Sequence, residues 1–268
     1  MTALRWVEYV GLIGFVGAVV VRRLAANPPR LDWVRAPLCM WLATASIGGL
    51  GLVVASLLGD SGASSSFDWV RLGRVAAEIA ALGLCLAGMR WVVPPGILAT
   101  VALALDGHAV IVQPSLGGLL NAALHVLSAG MWAGGILVLA TIRPPGIGWR
   151  AREGRALLDR FGGVAVLAFA MTALTGVLSA SEELSGLSDL WTTPYGVVLS
   201  LKTAGVLTML VMSAIVWRRA PSLARSEGLV VLLVLLATAA LAAYPVPPAQ
   251  SAESIAGGGN RAQVIVQR

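Results

Sequence analysis

Charge is scarce in this chain. Asp, Glu, Lys and Arg together make up 12% of its 268 residues, whereas a soluble domain carries about 25%. Too few charges are present to clothe a water-exposed fold of this size. There is a single lysine, Lys202; the histidines are His108 and His125, and the cysteines Cys39 and Cys85. Two cysteines inside apolar runs are too few for a disulfide framework. There is no P-loop, and no connection between apolar runs is long enough for a phosphorylatable domain, which excludes ATP-driven chemistry. The chain is read as something other than an enzyme.

Apolar residues are abundant: 57% of the chain, with a mean hydropathy of +0.84. Runs of about 20 apolar residues recur, each able to cross a hydrocarbon core of about 30 Å. The expected fold is an all-α, polytopic membrane helix bundle of about eight transmembrane helices. The spans read as roughly 4–25, 36–58, 69–89, 91–113, 117–142, 160–181, 191–217 and 228–246. Residues 1–247 form one membrane domain. Residues 248–268 form a short extracytoplasmic tail, broken by Pro and Gly. The first span is too long for the apolar core of a secretory signal, and its basic cluster follows it rather than precedes it, so it is expected to be retained.

A net charge of +6 could suggest a nucleic-acid partner, but the arginines sit in short connections at helix ends. Arg22, Arg23, Arg30 and Arg35 follow the first span, Arg143 to Arg160 the fifth, and Arg218, Arg219 and Arg225 the seventh. The alternate connections are acidic, as in "GDSGASSSFD" and "SEELSGLSD". Positive charge is retained on the cytoplasmic side, so both termini are expected outside, and no nucleic acid is implied.

An ionisable side chain at mid-bilayer costs about 2.5–3.5 kcal/mol on insertion scales. Lys202 lies inside the seventh span, Asp106 in the fourth, Glu8 near the outer end of the first, and Arg71, Arg74 and Glu78 in the third. The spacing of Arg74 and Glu78 pairs them along one helix face, and Lys202 finds a counter-charge in Glu78 or Asp106. Such groups either fix helix register or wall a polar cavity that opens outward.

Both imidazoles fall in "DGHAVIVQPSLGGLLNAALHVLSAGMWAGG", on consecutive antiparallel spans. At about 1.5 Å per residue, His108 lies roughly 8–10 Å, and His125 about 12 Å, below the outer surface. On the fifth span His125, Ser128, Ala129 and Trp132 share a face. Paired imidazoles suit Cu, Zn, Fe or Ni, or the axial positions of one haem b; an isolated membrane histidine is otherwise an interhelical hydrogen bonder. Asp106, Met131 and Met171 are candidate assisting ligands. Cys39 and Met40 begin the second span, and Cys85 and Met89 end the third, both at the inner side, where thiolate and thioether would favour Cu(I).

The run "LHVLSAGMWAGGILVLA", then "RFGGVAVLAFAMTALTGVLSA" and "LWTTPYGVVLSLK", resembles the copper resistance D (CopD/PcoD) family of integral membrane proteins. The shared pattern is His125, then Trp132 with Gly134 and Gly135, Arg160 and Phe161, Thr175 and Gly176, then Thr193, Tyr195, Gly196 and Lys202. "GHA" at Gly107 to Ala109 is similar to the family's upstream histidine. The resemblance covers about 105–217. It implies copper handling at the bacterial cytoplasmic (inner) membrane, as Cu(I) or Cu(II), beside a separate periplasmic copper-binding protein. A single-haem redox protein and an assembly factor for a copper enzyme are the alternatives.

Overall fold

The computed structural model describes residues 1–59, 69–106, 116–146, 148–183, 189–192, 194–218 and 229–236. Among them every regular element is helical. Helices α1 (Thr2–Ala26) and α2 (Leu38–Gly59) are followed by α3 (Trp69–Leu86) and α4 (Val93–Ala102). A long rod comes next: α5 (Leu116–Ala129), a π-helical turn (Gly130–Gly134) and α6 (Gly135–Thr141). The remainder is α7 (Arg152–Glu183), the short α8 (Asp189–Thr192) and α9 (Pro194–Arg218), with a helical stretch at 229–236. Four of the described spans, Thr2–Ala26, Leu38–Leu58, Leu116–Thr141 and Arg152–Ala180, are long and apolar enough to cross a membrane.

Helix α1 is the hub. Leu12, Phe15, Ala18 and Val21 are fully buried on it, and it packs against α2, α4, the π turn and α6. Glycine permits the closest of these contacts. A Cβ at Gly17 would collide with the backbone of Gly134, and a Cβ at Gly134 with the carbonyl of Ile13. Lipid gives no hydrophobic drive to helix pairing, so backbone approach at small residues supplies it through van der Waals contact. Indole Nε1 of Trp6 donates to the carbonyl of Leu232 at 3.0 Å, tying α1 to the stretch at 229–236.

The outer faces are apolar. Ile47, Leu50, Val54 and Leu57 on α2 are exposed, as are Val166, Leu167, Leu174 and Val177 on α7. Contiguous greasy surface of this extent is foreign to a soluble monomer and suits contact with acyl chains.

Three expectations change. The sixth span begins at Arg152 rather than 160, because hydropathy marks only the lipid-facing part of a helix whose first turns are charged. Arg160 is therefore a helix residue. Its Nη1 donates to the carbonyls of Leu24 (2.9 Å) and Asn27 (3.0 Å) and its Nη2 to that of Pro29 (2.8 Å), satisfying the carbonyls where α1 ends. The fifth span is interrupted by the π turn, and among the described residues the fourth holds a regular helix over Val93–Ala102, flanked by 3-10 turns. Residues 107–115, and with them His108, lie outside the described residues, as do 237–268.

Candidate functional site

Helices α5 and α7 meet along a polar seam. Asn121, His125 and Ser128 project from α5 at i, i+4 and i+7, one stripe of an α-helix. Thr172, Thr175 and Ser179 face them from α7. Asn121 Nδ2 donates to Ser179 Oγ at 3.0 Å and to the carbonyl of Thr175 at 3.2 Å. Thr172 Oγ1 lies 2.9 Å from Ser128 Oγ. Ser128 and Thr175 are buried.

At the centre of the seam His125 Nδ1 lies 3.0 Å from Thr175 Oγ1. The Thr175 hydroxyl is 2.6 Å from the carbonyl of Met171 and 3.1 Å from that of Thr172. A carbonyl only accepts, so the hydroxyl proton is directed along α7 and Oγ1 is left to accept from the ring. We accordingly assign the neutral imidazole the Nδ1–H tautomer, with its lone pair on Nε2. A partner that fixes one ring nitrogen in this way is the usual outer support of a metal-ligating histidine. Gly176 provides the space, since a Cβ there would stand 3.3 Å from His125 Cε1. Counting along α7 from Glu183, Thr175 lies about 12 Å below that end of the helix.

Other parts of the recurrent motif pack. Trp132 is buried in the π turn, edge-on to Phe169 with ring centroids 4.8 Å apart. Gly135 leaves room for the ring of Phe161, where a Cβ would overlap it. π turns within α-helices occur often at functional sites, and this one begins five residues after His125.

A second polar centre lies between α1, α2 and α3. Arg74 Nε donates to Glu8 Oε1 at 2.9 Å and Nη2 to Glu8 Oε2 at 3.2 Å. Glu78 Oε1 stands 4.0 Å from Arg74 Nε. The i,i+4 spacing thus brings Glu78 into range, but the two-pronged partner comes from α1. Both carboxylates converge on Gly49, whose Cβ would lie 2.7 Å from Glu78 Oε2 and 3.1 Å from Glu8 Oε1. All three charged residues are buried.

Cys39 and Cys85 require a correction. In place of two separate soft ligands, they are joined as a disulfide with Cα atoms 5.7 Å apart. Their separation of 46 residues hides the contact in sequence; it arises because α2 begins where α3 ends. A cystine presents no thiolate to a metal.

Among the described residues no three of His, Cys, Asp and Glu come together as a metal-binding group. Met171 lies one turn before Thr175, and Met131 packs against the main apolar core. Asp106 ends the 3-10 turn Leu103–Asp106 and Lys202 lies in α9, their side chains being outside the described residues. Asn121 and Thr172 have no role in the sequence reading, and Thr175 enters it only with Gly176 in the family pattern, a hydroxyl one residue before a glycine.

Multi-pass helical membrane protein with a histidine held in a polar seam is the class that fold and site define. Residues 155–243 match the family described as Copper resistance protein D. The chain is also 28% identical over 164 residues to the copper transport protein CutJ of Bacillus subtilis (strain 168), which covers 57% of this chain and 30% of that protein. Over that stretch the chain is similar to copper resistance D proteins. It spans less than a third of the length of that relative, and no solved structure matches it.

Proposed function

We propose that this protein moves copper across the bacterial cytoplasmic membrane, taking it up at the acidic, outward side through His125. The observation that carries this reading is the Thr175 hydroxyl, bonded to the Met171 carbonyl and turned as an acceptor toward His125 Nδ1. On this reading Nε2 is the nitrogen that meets copper. His108 supplies the second imidazole from the preceding span, with Asp106, Met131 and Met171 as assisting donors. Kinship with a copper transport protein supports copper as cargo. Both termini lie outside, and a separate periplasmic copper-binding protein delivers the ion. Movement follows a gradient or a carrier, and the protein is not an enzyme. Lys202, Glu78 and Arg74 belong to the polar intramembrane network that keeps the spans in register.

Copper uptake into vesicles of known orientation, with elemental analysis of the purified protein, tests the proposal. His125→Ala and His108→Ala are each expected to abolish copper retention at this site while the protein stays monodisperse. Normal copper content in both variants overturns the reading. A Soret band from the purified chain would replace it by a single haem b, and a stable complex with an outer partner without uptake would indicate an assembly factor.

A further inference from the structure

Three polar pairs join α5 to α7: Asn121 with Ser179, His125 with Thr175, and Ser128 with Thr172. The steps between them along α5 equal the steps along α7 in the opposite sense, so all three belong to one antiparallel register. A slip of one residue moves a helix by about 1.5 Å and parts every pair. The rungs are unequal, because a hydroxyl has a single proton and a side-chain amide has two. Ser128 Oγ lies 2.7 Å from the carbonyl of Leu124, and Thr172 Oγ1 lies 2.8 Å from that of Ala168. Both hydroxyls therefore have acceptors on their own helices, and the bond between them is shared. Asn121 gives both amide protons to α7, at 3.0 Å to Ser179 Oγ and 3.2 Å to the carbonyl of Thr175. A carbonyl only accepts, which also fixes which end of the amide faces it.

We propose that Asn121 is a positioning residue for His125: it holds Thr175 level with the imidazole and so selects which ring nitrogen faces an incoming ion. The inference deepens the copper reading above and rests on it for the identity of the ion, though not for the state of the ring. Asn121 bonds to the main chain of the same residue whose hydroxyl meets His125 Nδ1. Hydrogen bonds between membrane helices contribute modestly to stability on average. The 3.0 Å contact from Thr175 Oγ1 to Nδ1 is more demanding, since a small displacement takes it out of bonding range. Without that acceptor a neutral imidazole carries its proton on either nitrogen. A ring protonated on Nε2 has no lone pair there for a metal. Asn121, one turn outward of His125 on the same stripe, thus acts on the ion only through Thr175.

The test uses the full 268-residue chain in detergent, with its histidines isotope-labelled on the ring nitrogens. Nitrogen NMR of the copper-free protein separates the two tautomers, and the signals absent from His125→Ala belong to His125. The native chain is expected to show one tautomer, with the proton on Nδ1. Asn121→Leu, close in size and unable to donate, should show a mixture of both. It should also bind copper about tenfold more weakly, the lower end of the loss expected when an outer partner of a metal-bound histidine is disturbed. Ser179→Ala spares the bond to the Thr175 carbonyl and should keep the native signal and affinity. An Asn121→Leu chain with the native signal overturns the proposal and leaves the amide an interhelical bond only, whatever its melting temperature. A native chain whose His125 carries its proton on Nε2 overturns it too, and that reading needs no substitution and so no variant that must fold. A ring that loses its single tautomer in Asn121→Leu, in a protein that retains no copper in any form, would keep Asn121 as the positioning residue and refute the copper site.

Discussion

At the residue scale, Thr175 acts through one hydroxyl in two directions: its proton satisfies a carbonyl of its own helix, and its oxygen holds a ring on another. Thr175→Val keeps the side-chain shape and removes both bonds, a stability loss of about 0.5–1.5 kcal/mol. On the proposed role of His125 its larger effect falls on copper, because losing the outer partner of a metal-bound histidine typically costs 10–100-fold in affinity. Copper affinity should fall by about that factor in Thr175→Val and return in Thr175→Ser; an unchanged affinity in the valine variant would separate the threonine from the metal. The buried guanidinium allows a second test. Arg74→Leu removes the two-pronged partner of Glu8, and breaking a buried ion pair by removing one member costs about 3–5 kcal/mol. Thermal melting in detergent should show this loss, and Glu8→Gln combined with Arg74→Leu should destabilise by less than the sum of the two single changes. Much of this chemistry is visible in sequence as residue type: a rare histidine, a rare buried arginine. Partner choice is not, since Glu8 and Arg74 are brought together only where α1, α2 and α3 converge.

At the element scale, hydropathy locates the described spans because membrane helices are selected for length and greasiness. It overlooks the π turn at Gly130–Gly134, which has the same composition as the helices flanking it, and it starts α7 too late. Glycine offers the clearest test of packing. Gly134 sits where α1 comes closest, so Gly134→Ala puts a methyl group into the carbonyl of Ile13. Overpacking of that kind costs about 1–3 kcal/mol. Gly163 on α7 is exposed and has nothing within 4 Å of its would-be Cβ, so Gly163→Ala should be neutral or stabilising by up to about 1 kcal/mol through helix propensity. Melting temperatures of the two variants are expected to move in opposite directions, or one to fall while the other stays. Equal losses would mean that glycine content, rather than the α1 crossing, governs stability.

At the scale of the whole molecule, charge asymmetry decides which compartment each site faces. Arg22, Arg23, Arg30, Arg35, Arg143, Arg150 and Arg152 are exposed, on the connections and helix ends that Arg160 and the Trp33–Trp149 edge contact bring together. Helix α7 starts at that end and runs to Glu183 at the other. In a background with Cys39→Ser and Cys85→Ser, a single cysteine at Ser64→Cys should react with a membrane-impermeant maleimide on intact spheroplasts. Arg150→Cys should react only after permeabilisation. The reverse pattern would invert the bundle and set its arginine-rich end outside. With the expected pattern, the imidazole of His125 lies about 12 Å under the outer face.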